Sequence, residues 1–278
     1  MKTSLVLEGG GMRGIYTCGV LDYFMDAGIK FPTVYGVSAG AGHAMSYVSQ
    51  QRGRAVRVGT AYLRDWRYCS VRSLIFTGDL FGAKFIYETI PAKLDLYDYD
   101  AFNKNEMKLV AVCANVETGK PEYMEINDAA KDIIYVRASS SLPLVSRTVR
   151  TEKGLLLDGG CCDSIPVRHA LSENDRAVVV LTQPAGFKKE PSSTLKALKL
   201  RYSKYPEFVE ANAHRHENYN DSLAAVEAGV KAGTVLAIRP SAPIGFGRIE
   251  KDKNKLMGLY EMGYNDAKAS GIERFLAN

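Results

Sequence analysis

Two glycine turns within the first forty residues limit what this chain can fold into. Gly9-Gly10-Gly11 follows the apolar, β-prone run 3–7, and Gly36-Val37-Ser38-Ala39-Gly40 follows Thr33-Val34-Tyr35. A helical pattern opens after each. Ile15, Cys18, Leu21 and Met25 recur at helical spacing before Gly28 stops them, and small residues run from Ala39 to Ala44. Strand, turn and helix repeated in this way predict an α/β fold, with a mostly parallel central sheet and helices on both faces. Further buried strands are expected at 109–113, 155–157, 177–181 and 235–238. The alternating stretch 121–126, behind Thr118-Gly119-Lys120, reads as a hairpin partner.

The chain has 278 residues, of which 46% are hydrophobic, enough for one large core, and we read 1–278 as a single domain. Residues 53–105 show aromatics and arginines without a clear strand and are expected to cap the site. The stretch 190–233 reads as helical with Leu223, Val226 and Val230 on one face, and a helical extension is expected after about 240. No secretory signal is evident, and no apolar run approaches the roughly 20 residues of a membrane span. The five cysteines are scattered and lack zinc-ligand spacing, so they read as reduced thiols in a cytoplasmic protein. The net charge of +5 does not imply nucleic acid. Its distribution is uneven: Arg52, Arg54, Arg57, Arg64, Arg67 and Arg72 crowd around Tyr62, Trp66 and Tyr68. That combination suits a peripheral contact with an anionic lipid surface at the inner membrane, or else a solvated helix face.

Acyl transfer needs a nucleophile, a base and donors for the developing oxyanion. In Gly-x-Ser-x-Gly the serine stands at the tip of a sharp turn, and Gly36 and Gly40 remove Cβ atoms that would clash there. Consecutive glycines can turn several N–H groups toward one point, so Gly9, Gly10 and Gly11 suit an oxyanion hole, with Arg13 near enough to add charge or to hold the loop. The competing reading of Ser38 is a helix N-cap, which leaves the glycine loop unexplained.

For the base, a triad would need one of His43, His169, His214 or His216. His43 is expected to point away from the serine tip. His214 and His216 lie on different helix faces, which also argues against a shared metal, and no constellation singles out His169. Asp158 in Leu157-Asp158-Gly159-Gly160 is the better candidate. It ends a buried strand, at the sheet edge where the other turns open, and Gly159 and Gly160 permit a close approach. An Asp-Gly turn acid without chemistry is the competing reading. Asp95, Asp98 and Asp100 lack the order of a calcium loop and read as a solvated connection.

Gly9 to Gly14, Gly36 to Gly40 and Asp158-Gly159-Gly160, with Ala138-Ser139-Ser140-Ser141-Leu142-Pro143 before the aspartate, resemble the patatin-like phospholipases in order and spacing over roughly residues 3–240. The resemblance implies a patatin-like fold and a Ser-Asp dyad, with Ser38 as nucleophile and Asp158 as base. It also implies an oxyanion hole at Gly9, Gly10 and Gly11 supported by Arg13, hydrolysis of lipid acyl esters, and no metal or other cofactor. Two other readings compete. Gly9-x-Gly11-x-x-Gly14 satisfies part of a dinucleotide fingerprint, but the second strand ends in Val37-Ser38 and not in an acid. A lipid-binding protein without turnover is the second alternative.

Overall fold

The apolar runs of the sequence pair into one eight-stranded sheet. The structure is a computed structural model and describes residues 1–277. Five strands are parallel: β1 (Thr3–Leu7), β2 (Thr33–Val37), β3 (Lys108–Asn115), β7 (Arg176–Val180) and β8 (Val235–Ile238), in the spatial order β3-β2-β1-β7-β8. Three more strands join by antiparallel pairing: β4 (Pro121–Ile126) and β6 (Gly154–Asp158), both beside β3, and the short β5 (Val149–Thr151) beside β6. Side chains alternate between two cores. Leu5, Leu7, Val34, Leu109 and Val180 face one, and Val6, Tyr35, Val110 and Val179 face the other. Burial on both faces explains why the strands read as continuous apolar runs.

The helices α1 (Ile15–Asp26), α2 (Ala39–Val48) and α6 (Ile133–Ser139) cover the first core, together with α11 (Lys253–Ala269) and α12 (Ile272–Ala277). The second core is covered by α7 (Val167–Glu173) and α10 (Arg215–Ala232), and α8 (Leu195–Arg201) and α9 (Pro206–Ala213) pack on a smaller cluster with Leu157 and Cys161. In the second core Val226 is buried as expected, but Val230, in the last turn of α10, is 42% exposed. Residues 53–105 contain α3 (Arg54–Ala61), α4 (Val71–Thr77), a π-helical segment (Phe85–Leu94) that holds Pro91, and α5 (Tyr99–Asn103). Among the described residues, no helix is long and apolar enough to cross a membrane.

The register around β3 positions the site. Residues 108–112 of β3 pair with β2, residues 109–114 with β4, and residues 113–115 with β6. A strand has two edges, so β4 occupies one while β2 and β6 share the other, end to end. The C-terminal ends of β2 and β6 therefore meet. The sequence-based expectation that Asp158 ends a strand at the common edge needs a correction in its reason: β6 is antiparallel. It reaches that edge because it overlaps only the last three residues of β3, arriving from beyond the sheet.

Candidate active site

Ser38 is the first residue past β2 and the cap of α2. Its φ of 55° and ψ of −122° form a backbone pose that side-chain-bearing residues rarely adopt. The turn is tight enough that a Cβ on Gly36 would stand 2.6 Å from Ala41 Cα, and one on Gly40 would stand 2.6 Å from the Leu7 carbonyl. The pose is held from α6. The Ser38 N–H donates to Ser139 Oγ at 2.9 Å, and the Ser139 hydroxyl donates to the Val112 carbonyl at 2.6 Å.

Ser38 Oγ donates to Asp158 Oδ2 at 2.6 Å. Asp158 is 3% exposed, and its other oxygen accepts the Gly160 N–H at 2.8 Å. Its own N–H donates to the Ser141 carbonyl at 2.8 Å. Burial raises its pKa above the ordinary carboxylate value, and the Ser38 hydrogen bond, the Arg215 charge and the Gly160 N–H act in the opposite direction. Gly159 packs against the Val112 carbonyl, leaving no room there for a side chain.

Gly9, Gly10 and Gly11 lie beside this pair. A Cβ on Gly9 would be 2.9 Å from Ser38 Cβ. Among the described residues, no acceptor engages the N–H groups of these three glycines outside the regular elements, while the next N–H, Met12, donates to the Arg248 carbonyl at 2.9 Å. Arg13 follows in a single 3-10 turn (Gly11–Gly14), and its Nε is buried without a partner. The first turn of α2, next to Ser38, likewise has N–H groups that the helix itself does not satisfy.

A cavity of about 220 Å³ opens above the pair. Ala55, Val58, Tyr68, Phe81, Ile86 and Tyr97 from the 53–105 segment form its apolar wall. His43 lines this cavity, which corrects the expectation that it points away. No hydrogen bond joins it to Ser38 or Asp158 among the described residues, and desolvation lowers its pKa to about 4. The other histidines lie elsewhere: His169 stacks on Tyr123 with ring centroids 3.6 Å apart, His214 sits between Glu210 and Glu217, and His216 is near Glu217. No group of acids, histidines or cysteines that could hold a metal occurs among the described residues.

The arginine cluster separates into different roles. Arg52 pairs with Asp26, Arg54 and Arg57 pair with Asp95, and Arg67 pairs with Asp65. Asp95 is therefore an anchor and not part of a merely solvated connection, while Asp98 caps α5 and Asp100 is exposed. Arg72 lies over the Trp66 ring, 4.6 Å from its centroid.

Several site residues escaped the sequence reading. Ser139 stood only within a small-residue stretch, with no role. Glu8 was passed over, although Leu7-Glu8-Gly9 has the same local pattern as Leu157-Asp158-Gly159. It is 2% exposed and accepts from the Thr182 N–H at 2.6 Å and the Tyr219 hydroxyl at 2.7 Å. Lys189, Arg215 and Arg248, all on the cavity wall, had no local signal at all.

The fold and site define an α/β protein with a hydroxyl–carboxylate pair where two strand ends converge beneath a cavity. The family model of the patatin-like phospholipases matches residues 5–171, and the chain belongs to that family. A second model, a domain of unknown function (DUF6363), matches residues 205–275. "Uncharacterized protein YjjU" of Escherichia coli K12 is 27% identical over 250 residues, covering 87% of this chain and 70% of that protein. "Lysophospholipase nte1" of Aspergillus terreus is 28% identical over 176 residues, 60% of this chain but only 11% of the longer fungal protein. Among solved structures, VipD from Legionella pneumophila aligns with a TM-score of 0.46 at 13% identity, covering 96% of this chain and 66% of that one. Membership of the family supports a lipid hydrolase activity.

Proposed function

We propose that this chain hydrolyses lipid acyl esters through a Ser38–Asp158 dyad. The observation that carries the reading is the 2.6 Å hydrogen bond between the two side chains at the floor of a largely apolar cavity. Ser38 Oγ attacks the ester carbonyl carbon while its proton passes to Asp158. The carbonyl π electrons move to oxygen, and the resulting oxyanion is met by the N–H groups of Gly9, Gly10 and Gly11, with the Arg13 charge behind them. The C–O bond to the alcohol then breaks, and Asp158 returns the proton to the departing oxygen. Water adds to the acyl-enzyme, gives a proton to Asp158, and releases the fatty acid as Ser38 is reprotonated. Burial favours this role, because a carboxylate with a raised pKa is a stronger base than one in water.

Access to lipid has its own candidate surface. Val71, Ile75 and Phe76 on α4 are exposed, the last two by 74% and 69%, and Trp66 and Arg72 stand beside them. Tyr68 and Asp79, which flank this helix, line the cavity. An apolar helix face beside a cavity mouth suits the boundary layer of a lipid surface, which we place on the cytoplasmic side. Vesicle flotation tests it: Ile75→Ser with Phe76→Ser should lose binding, and equal binding to anionic and neutral vesicles would remove the part assigned to Arg72.

The decisive experiment for the dyad is labelling with a fluorophosphonate probe, followed by intact-mass measurement and peptide mapping. One adduct at Ser38, absent from Ser38→Ala, is the expected result. Ester hydrolysis that survives in Ser38→Ala would overturn the assignment. Lipid binding without labelling or turnover would instead favour the non-catalytic alternative.

A further inference from the structure

Four cations border the cavity on the side of Asp158 and the glycine loop: Arg13, Lys189, Arg215 and Arg248. Two of them come from the 205–275 region, whose matching domain has no assigned function. Arg215, the first residue of α10, donates through Nε to the Gly160 carbonyl. Arg248 sits on the connection between β8 and α11, which is clipped to the glycine loop by the bond from the Met12 N–H to its carbonyl. Gly11, at φ +58°, lies beneath it, where a Cβ would come within 2.7 Å of the Arg248 carbonyl. Lys189 follows β7. Its N–H donates to Asn220 on α10 at 2.8 Å, and its Nζ stands 4.1 Å from the centroid of the Tyr219 ring.

These cations lack anionic partners. Among the described residues none of the four forms an ion pair, whereas Arg54 and Arg137, elsewhere on the same cavity wall, pair with Asp95 and Asp79. Among the described residues, the carboxylates whose charge acts on Lys189 and Arg248 are Glu8 and Asp158, while Asp79, also on the cavity wall, is paired with Arg137. Burial raises the pKa of Glu8 and Asp158, so each holds its negative charge less readily than in water. Even with both ionised, two positive charges are left uncompensated. Burial, then the charges of Arg215 and Arg248, push the Lys189 pKa down to about 7, with Glu8 opposing and Arg13 adding to the repulsion. The buried, unpartnered Arg13 Nε is a donor waiting for an acceptor.

We propose that Arg13, Lys189, Arg215 and Arg248 form a subsite for a phosphate monoester, the headgroup of the acyl lipid whose ester lies at Ser38. This rests on the hydrolase reading above. A phosphate monoester near neutral pH brings close to two negative charges and three acceptor oxygens, which matches the excess of cations and their donors. A phosphocholine head is net neutral, and its quaternary ammonium would meet further cations here. The region 205–275 thereby supplies headgroup selection, while the region 5–171 supplies Ser38 and Asp158.

The test compares lysophosphatidic acid with lysophosphatidylcholine of the same acyl chain, as a ratio of kcat/KM values within each variant, so that losses of folding or general activity cancel. Wild type should prefer the phosphate monoester tenfold or more. Lys189→Met and Arg248→Met should each lower that ratio at least tenfold, mainly through KM for lysophosphatidic acid, and Lys189→Arg should restore it. An equal ratio in wild type and variants overturns the proposal. Inorganic phosphate that alters hydrolysis of a neutral p-nitrophenyl ester, with no headgroup preference, reassigns the subsite to a free anion and overturns it as stated. Calorimetry with Ser38→Ala separates the two levels. Tighter binding of lysophosphatidic acid than of lysophosphatidylcholine, lost in Lys189→Met, supports the subsite even if hydrolysis fails; no difference in binding refutes it whatever the hydrolysis shows.

Discussion

Ser38 donates its hydroxyl proton to a carboxylate where β2 and β6 meet, and on another face of the protein four tyrosines do the same between α1 and α11–α12. Tyr16 donates to Asp266 at 3.0 Å, Tyr260 to Asp22 at 2.8 Å and Tyr264 to Asp26 at 3.0 Å, and Tyr23 pairs with Glu273. The pairs are chemically alike, so the carboxylate alone does not make a reactive oxygen. At the tyrosines it does the reverse: the hydrogen bond to Glu273, with burial, raises the Tyr23 pKa to about 12, so the proton stays on the phenol. The helices there are drawn together, Gly19 against the Tyr260 carbonyl and Gly263 against the Tyr16 carbonyl. At Ser38 the backbone is turned to positive φ, a cavity lies above, and the glycine loop, whose N–H groups are proposed to meet the oxyanion, lines that cavity. The surroundings, more than the hydroxyl–carboxylate contact, separate a reaction site from a structural clasp.

Breaking the pair at Ser38 should have the largest effect. Ser38→Ala and Asp158→Asn are each expected to lower kcat/KM on a short p-nitrophenyl acyl ester by roughly a thousandfold or more, since the two act as a unit. Asp158→Asn should melt at an equal or higher temperature at neutral pH: burial raises the folded-state pKa, so the ionised acid opposes folding and its removal does not. A fall near tenfold would mean that the proton goes elsewhere. The pH profile sharpens the same point. In the proposed mechanism Asp158 acts as a base only when ionised, so kcat/KM should fall as pH drops through a value above the ordinary carboxylate range, and tenfold per pH unit below it. An acid limb at or below that range would remove burial as the source of basicity.

Ser139→Ala should have an intermediate effect, about 10- to 100-fold in kcat, because it releases the N–H that fixes the Ser38 turn without touching either reacting group. Rescue by Ser139→Thr, which keeps a hydroxyl, would separate this positioning role from simple loss of packing.

The sequence made the strands of the sheet legible because both faces are buried and the runs are continuous. It missed β5, whose three residues carry no pattern. Ser38, Asp158 and the glycines announced themselves because tight turns and close approaches leave a local mark. Ser139, Lys189, Arg215 and Arg248 could not, since their roles arise only when segments far apart in the chain come together, Ser139 at the Ser38 turn and the other three at the cavity. The antiparallel arrival of β6 was equally hidden: a buried strand reads the same in either direction, and its three-residue overlap with β3 is a property of the sheet. The arginines of 52–72 show the opposite limit: the sequence displays the cluster but not that Arg52, Arg54, Arg57 and Arg67 each have an acidic partner.

The tyrosine clasps should give the smallest effects, graded by burial. Asp22 is 1% exposed and, without Tyr260, would keep only the Gly53 N–H, at 3.0 Å. Tyr260→Phe is expected to cost about 2 kcal/mol in denaturant unfolding, as for a hydrogen bond to a buried charged group. Asp26 retains Arg52, whose Nε and Nη2 bond its two oxygens at 2.9 and 2.8 Å. Tyr264→Phe should therefore fall within about 0.5 kcal/mol of wild type. Neither change should alter ester hydrolysis per folded molecule, because neither residue borders the cavity. Equal destabilisation by the two would mean that helix contact, and not the desolvation of the acid, sets the strength of these pairs. Loss of turnover in a stably folded Tyr260→Phe would couple the clasp to the reaction site and undo the division between them.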